Sequence, residues 1–256
     1  MSQSPEADTG SSERETKRTT GIITFLDVLG WKGVYTRADE PLGKMSQLTD
    51  AIEAAASLSE SNHRPRVRSI SGSIVLYSTN VLLADLLTVV SIHGKVCAEA
   101  ITASILANIP VRGATAVGQF DVDDNKNIYV GKAIDEAASW HESADWIGVH
   151  LTPSAKFTVM RELLRSGMDN KLFHWEQHTP PMKKGVPAYS TFCVAWISAW
   201  TETIRRFGRD PQQELLSIFS DMSPITPDFS AKLTNTLAYF ENKTNNASQE
   251  LNTSTA

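Results

Sequence analysis

The order of short β-type segments and helical segments between Gly21 and Trp196 constrains the fold of this chain more than any other feature. Runs rich in β-branched and aromatic residues predict strands, and longer runs with apolar residues three and four positions apart predict helices. The predicted strands are 21–29, 66–70, 73–77, 111–120, 127–130, 147–151 and 189–196, and the predicted helices between them are 46–59, 81–108, 132–143 and 152–166. This order predicts an α+β fold with a ferredoxin-like βαββαβ core and additions.

The segments outside this core differ from it in composition. Residues 1–20 and 243–256 are polar and contain too few apolar side chains to offset the entropy of ordering, so both are predicted to be disordered tails. Residues 197–242 are predicted to form a C-terminal helical extension, with helices near 197–207, 212–222 and 227–242. The predicted core domain therefore covers residues 21–196.

Charge and composition exclude several classes of protein. The chain has 29 acidic and 24 basic side chains, a net charge of −5, and no long basic run, so we expect no nucleic-acid partner. Cys97 and Cys193 are too few for a disulfide framework or a Cys-rich zinc site. No run of about eighteen apolar residues is uninterrupted, and residues 1–20 lack the apolar segment of a secretory signal. We therefore expect no membrane span and a cytoplasmic location.

The end of the first predicted strand carries the residues that point to chemistry. Its sequence is Phe25-Leu26-Asp27-Val28-Leu29-Gly30, with a carboxylate inside a β-rich run. Such a carboxylate is costly in a sheet unless a cation lies beside it, and a following glycine leaves backbone amides accessible to an anion. The pattern is typical of a site for a divalent ion and phosphate groups. A strand-end carboxylate that simply forms an ion pair is the alternative.

Four segments in the same order resemble the class III nucleotide cyclases. The first is the strand that contains Phe25 and Asp27, which resembles the Phe-x-Asp opening strand of that family. It is followed by the segments Ser71–Tyr77, Val111-Arg112-Gly113 and Tyr129–Ala137, which are similar to the family's metal-binding hairpin, its Arg-x-Gly strand and its Gly-x-x-Val-Asn-x-Ala helix start. The resemblance covers about residues 21–196 and implies the class III cyclase fold.

A narrower resemblance concerns the segments 128–137, 142–149 and 181–185. They look like the bacterial pyrimidine cyclases of the Pycsar antiphage system. This resemblance implies a uridylate cyclase that converts UTP to 3′,5′-cyclic UMP and pyrophosphate, the cyclic nucleotide then activating a separate effector. It also implies a homodimer with two equivalent active sites at the subunit interface.

The resemblance assigns metal-binding positions. Each site would hold two Mn²⁺ or Mg²⁺ ions about 3.5–4 Å apart, which lower the pKa of the ribose hydroxyl and neutralise the leaving group. Asp27 would bridge both ions, and the carbonyl of Val28 would complete one coordination shell. Gly72 occupies the position at the hairpin tip where the family has its second metal-binding aspartate.

The resemblance also assigns nucleotide-binding positions. Lys183 would bind the triphosphate, Asp135 would position the ribose for catalysis, and Phe25 and Arg68 would contact the nucleotide. Because a guanidinium only donates hydrogen bonds, Arg68 would suit the acceptor oxygens of uracil. The structural alternatives are a solvated strand face for Arg68 and an exposed turn for Lys183. Arg112 is interpreted as a structural strand residue rather than a phosphate ligand.

Gly72 leaves more than one function open. It is compatible with a substituted sequence, a diverged but active enzyme, or an inactive relative. The alternative functions are therefore a catalytically impaired nucleotide-binding or sensing module on the same fold, and a cytidylate or purine cyclase. The histidines show no paired metal spacing and are assigned no role.

Overall fold

The computed structural model describes residues 19–30, 40–59, 62–70, 72–167, 172–222 and 226–253, and it confirms the predicted α+β class. The elements are β1 (Thr19–Val28), α1 (Pro41–Ser57), β2 (Arg66–Ile70), β3 (Ser73–Ser78), α2 (Leu86–Leu106), β4 (Val111–Asp123), β5 (Ile128–Val130), α3 (Lys132–Trp140), β6 (Gly148–Leu151), α4 (Pro153–Ser166), β7 (Trp175–His178), β8 (Thr191–Val194), α5 (Ile197–Arg206), α6 (Pro211–Asp221) and α7 (Pro227–Thr253). A short 3₁₀ turn, Leu83–Asp85, precedes α2.

The strands of the described residues form one eight-stranded sheet in the order β2-β3-β1-β4-β6-β8-β7, with β5 paired to the outer end of β4. β1 pairs antiparallel with β3 on one side and β4 on the other, whereas β4 and β6 run parallel. Because β1 lies between two strands, a side chain at its carboxyl end is surrounded by sheet.

The two faces of the sheet bury different residues. Ile22 and Leu26 of β1 belong to the large core, which contains residues of α1 and α2, while Ile23 packs with Ala133 and Ala137 of α3. Side chains alternate along a strand, so Phe25 and Asp27 lie on the same face as Ile23. That face, covered in part by α3, carries the candidate site.

The helix from Leu83 to Leu106 fills the centre of the large core. It is the one helix among the described residues long and apolar enough to cross a membrane, but 67% of its most apolar stretch is buried inside the protein. A buried core helix has this composition, as the sequence predicts for 81–108. The absence of a membrane span stays a prediction.

Three of the differences from the sequence-based prediction have a clear physical cause. α1 begins at Pro41 rather than Ser46, with the proline in the first turn, where its missing N–H costs nothing. The sequence does not predict β7, because Trp-Glu-Gln-His shows no apolar alternation and is a strand only through its pairing with β8. α7 continues to Thr253, so residues 243–253 are helical where a disordered tail is predicted, since no glycine or proline interrupts the helix after Pro227. The predicted N-terminal tail, apart from Thr19 and Thr20, lies outside the described residues.

Gly113 of β4 permits the close approach of β4 to β1. A Cβ atom there would lie 2.2 Å from the backbone oxygen of Phe25 and 2.9 Å from Cδ2 of Leu26. We expect Gly113→Ala to lower the free energy of unfolding by about 1–3 kcal/mol, because strand backbone must move. Gly118→Ala on the same strand is the control, since its Cβ would meet only Ala133 at 3.5 Å. Equal urea unfolding midpoints for the two variants would contradict this prediction.

Candidate functional site

Asp27 lies at the end of β1, between Ser73 of β3 and Arg112 of β4. Its carboxylate Oδ2 accepts a hydrogen bond from the Arg112 guanidinium at 3.3 Å, and the two side chains form an ion pair. The structure therefore shows the ion pair that the alternative interpretation of Asp27 requires.

Arg112 joins Asp27 to the segment that follows α3, residues 141–147, which we call the site loop. Only 7% of the Arg112 side chain is exposed. Its guanidinium donates to the backbone oxygen of Glu142 at 3.2 Å and contacts that of Ala144 at 3.5 Å, and it lies 3.6 Å from the Glu142 carboxylate. The structural role predicted for Arg112 thus places the site loop against Asp27.

The charge of Asp27 is not fully compensated in this arrangement. Burial, the largest effect, raises the pKa of Asp27 above its ordinary value, and the neighbouring Glu142 acts in the same direction. Arg112 and His141 lower that pKa but do not reverse the shift. A carboxylate with a raised pKa would be stabilised in its charged form by a further cation.

Three side chains are arranged so that they could hold such a cation. A ligand atom from each of Asp27, His141 and Glu142 lies within 4.8 Å of the others. Two carboxylates and an imidazole suit Mn²⁺ better than Mg²⁺, which prefers oxygen ligands. The donor set therefore fits one ion. The sequence alone does not indicate His141 or Glu142 as ligands, although Glu142 lies in a segment on which the narrower resemblance depends.

Gly72 contributes no side-chain ligand to this group. Its backbone has a φ of 88°, in the left-handed region that favours glycine, and its carbonyl oxygen accepts a hydrogen bond from the Val28 amide at 3.4 Å. The turn thus provides a structural reason for glycine at this position. The Val28 side chain is buried in the core, so only the backbone of Val28 could face the site.

Lys183 and Phe25 lie at the borders of the site. The Lys183 ammonium is 3.9 Å from the Glu142 carboxylate, and its amide donates to the backbone oxygen of Ser143 at 2.9 Å. The Phe25 ring lies 5.9 Å from that of His141, measured between centroids. Both predicted nucleotide-binding residues therefore neighbour residues of the site loop.

Arg68 belongs to a second polar cluster on the same face of the sheet. Its guanidinium pairs with Asp124 at 3.3 Å, and Asp124 also accepts from Arg66 and from the Tyr77 hydroxyl. Burial and the Asp124 hydrogen bond raise the pKa of Tyr77 to about 12. No local sequence pattern indicates this pairing, because it depends on the folding of the β4–β5 hairpin over β2 and β3.

Asp135 is exposed on α3. Among the residues that the structure describes, no hydrogen bond or ion pair joins Asp135 or Arg68 to Asp27, His141, Glu142 or Lys183. One copy of the chain therefore brings together Asp27, Phe25, Lys183 and the Gly72 backbone, but leaves Arg68 and Asp135 apart from them.

Comparisons with known proteins identify the fold. No protein-family model and no curated protein sequence matches the chain. The catalytic core of a rhodopsin-guanylyl cyclase with converted specificity, in complex with ATPαS, has a TM-score of 0.50 at 16% identity, covering 70% of this chain and 97% of that chain. The guanylate cyclase domain of RhGC from Catenaria anguillulae, in complex with GTP, has a TM-score of 0.49 at 13% identity (70% and 98% covered). The adenylyl cyclase CyaB from P. aeruginosa has a TM-score of 0.48 at 9% identity (71% and 96% covered). The first likeness carries the conclusion: this chain has the fold of the class III nucleotide cyclase domains.

Proposed function

We propose that this protein is a nucleotide cyclase whose cation and triphosphate bind at Asp27. The observation that carries the proposal is the position of Asp27 on a cyclase fold, at the end of β1, with ligand atoms of Asp27, His141 and Glu142 within 4.8 Å of one another. The cations Arg112 and Lys183 flank these ligands.

Each group would have a defined task in the reaction. The ribose 3′-hydroxyl loses its proton to solvent, and its oxygen attacks the α-phosphorus in line, which forms the cyclic ester and breaks the bond to the leaving pyrophosphate. Asp27, Glu142 and His141 would hold a divalent cation, with the Val28 carbonyl as a further candidate ligand. That cation would lower the pKa of the 3′-hydroxyl and offset the charge on the leaving group. Lys183 would bind the triphosphate, because its ammonium borders the cation ligands.

The proposed active enzyme is a homodimer. Arg68 and Asp135 are apart from Asp27 within one copy, as expected if they complete the site of a second copy. Asp135 would then position the ribose, and Arg68, held by Asp124, would bind the base. A two-fold dimer would contain two such sites.

The proposed substrate is UTP, with cyclic UMP as the messenger for a separate effector in antiphage defence and a cytoplasmic location. Support for the base preference comes from Arg68, whose guanidinium donates only, as the carbonyl oxygens of uracil require. Incubating the full chain with each of the four ribonucleoside triphosphates and Mn²⁺, and identifying products by mass spectrometry, tests it. Cyclic UMP should dominate. A dominant purine product would contradict the preference for a pyrimidine base. Cyclic CMP as the dominant product would show that the substrate is CTP rather than UTP.

Glu142 provides a sharper test of the metal site. We expect Glu142→Gln to weaken Mn²⁺ binding about tenfold or more, because the amide removes one of the two carboxylates. Isothermal titration calorimetry measures the effect. Glu202→Gln is the matched control, since Glu202 is an exposed acid in an ion pair on α5. Equal Mn²⁺ affinity of the Glu142 and Glu202 variants would exclude Glu142 as a ligand.

A second candidate function is a nucleotide-binding module without efficient catalysis. The observation that favours it is the hairpin tip, where Gly72 supplies no carboxylate and Arg112 already pairs with Asp27. UTP binding without any product would support this function. A large gain of activity in Gly72→Asp would then show that only the second carboxylate was missing, although the positive φ makes this substitution cost about 1–2 kcal/mol of stability.

A further inference from the structure

α7 is joined to the site loop by a row of polar contacts. Lys232, Asn235 and Thr236 lie three and four positions apart and so share one face of the helix. The Lys232 ammonium pairs with Asp145 Oδ1 at 3.0 Å, and the Asn235 amide group donates to the backbone oxygen of Asp145 at 2.8 Å. The Thr236 hydroxyl accepts from the Ile147 amide at 2.8 Å. One turn of α7 therefore fixes both the side chain and the backbone of the site loop.

The site loop also contains two of the candidate cation ligands, so a contact that fixes the loop also fixes them. Residues 141–147 include His141 and Glu142, and they also hold the segment that carries Lys183. Asp145 donates its amide proton to the backbone oxygen of Pro181 at 2.7 Å, and the Lys183 amide donates to Ser143 at 2.9 Å. A shift of Asp145 would therefore displace the Lys183 segment together with the loop.

Of the three α7 residues that contact the site loop, Lys232 is the one that forms an ion pair with it, through Asp145. Its side chain is only 3% exposed and pairs with two carboxylates, Asp145 and the Asp228 of its own helix at 2.7 Å. Asp228 is 79% exposed and is solvated without the pair, whereas Asp145 is only 21% exposed. Removal of the ammonium would leave Asp145 without its cation in a poorly solvated position, and the loop would have to move to hydrate it.

We propose that α7, which lies outside the βαββαβ core, holds the site loop in the position needed for cation binding. Lys232 is then a positioning residue for Glu142 and Lys183. Lys232 touches neither substrate nor cation and acts through Asp145. This inference rests on the proposed function in one respect, because the cation is the one proposed to bind at Asp27.

The test compares Lys232→Met with Lys243→Met in the full chain. Lys243 is on the same helix but forms its ion pair with Glu176, at 2.9 Å, rather than with a residue of the site loop, so it is a matched control. Mn²⁺ titration by calorimetry should show about tenfold weaker binding for Lys232→Met and no change for Lys243→Met. Hydrogen exchange of the Asp145 and Lys183 amides should become at least tenfold faster in Lys232→Met only.

Asn235→Ala guards against loss of folding in Lys232→Met. It removes one hydrogen bond to the loop and leaves every charge in place, so a smaller change in the same two measurements is expected. Wild-type Mn²⁺ affinity and wild-type amide exchange in both Lys232→Met and Asn235→Ala would overturn the inference. If the wild-type protein binds no Mn²⁺, the proposed function fails, while the exchange measurements still decide whether α7 holds the site loop.

Discussion

Replacing Asp27 with Asn is expected to lower kcat for cyclic nucleotide formation by about a thousandfold. A cation bound at a reacting phosphate supplies several kcal/mol of transition-state stabilisation, and about 1.4 kcal/mol corresponds to a tenfold rate. The neutral amide would lose most of this. The fold should survive, because Arg112 keeps its contacts with Glu142 and the backbone of the site loop. Steady-state assays with Mn²⁺ and UTP measure the effect.

Asp50→Asn is the control for this experiment. Asp50 is an exposed acid on α1, so its substitution should leave turnover unchanged. A rate for Asp27→Asn within about threefold of the wild type would mean that Asp27 serves only as the ion-pair partner of Arg112.

The stability of the protein is expected to fall steeply as the pH decreases from about 6.5 to 4. His93 and His150 are completely buried, and burial lowers their pKa values to about 3 and about 4. The unfolded chain binds a proton at each histidine near pH 6.5, whereas the folded chain does not until the lower pKa. Each histidine therefore removes about 1.4 kcal/mol of unfolding free energy per pH unit in that window. Urea unfolding at a series of pH values measures the slope.

His150→Leu separates this effect from other acid titrations. The leucine variant should lose stability less steeply, by about 1.4 kcal/mol per pH unit, because one of the two buried imidazoles is absent. His63→Gln is the control, since His63 is only partly buried. The same slope in His150→Leu and the wild type would contradict the assignment. His93 is less suitable for substitution, because its ring nitrogens lie 3.0 and 3.1 Å from the Thr24 and Ser78 hydroxyls.

Much of the fold could be predicted from the sequence, because most helices and strands have a recognisable pattern within their own residues. The apolar run at 81–108, the hairpin at 66–77 and the β-rich run before Gly30 each carry their own periodicity or turn signal. β7 could not be predicted in this way, because it is a strand only through its pairing with β8. The last turns of α7 were not predicted because their polar composition is typical of a disordered tail, although no glycine or proline interrupts the helix there.

The candidate site likewise contains residues that the sequence indicates and contacts that only the folded chain creates. Asp27 and Lys183 stand in recognisable local patterns, and the structure brings both to one place. The contact between Asp27 and Arg112 depends instead on the exact β1–β4 register, which pairs residues 85 positions apart. His141 and Glu142 reach Asp27 only because the chain turns back after α3. The spacing of residues near 141 and 142 in the sequence does not predict that turn.

The central claim is that the Asp27 carboxylate binds a divalent cation beneath a nucleotide triphosphate. Calorimetric titration of Mn²⁺ into the full chain, repeated with Asp27→Asn, tests the cation part of this claim most directly. Saturable Mn²⁺ binding to the wild type and its loss in the variant are expected. Equal Mn²⁺ binding by both proteins, or no binding by the wild type, would contradict it.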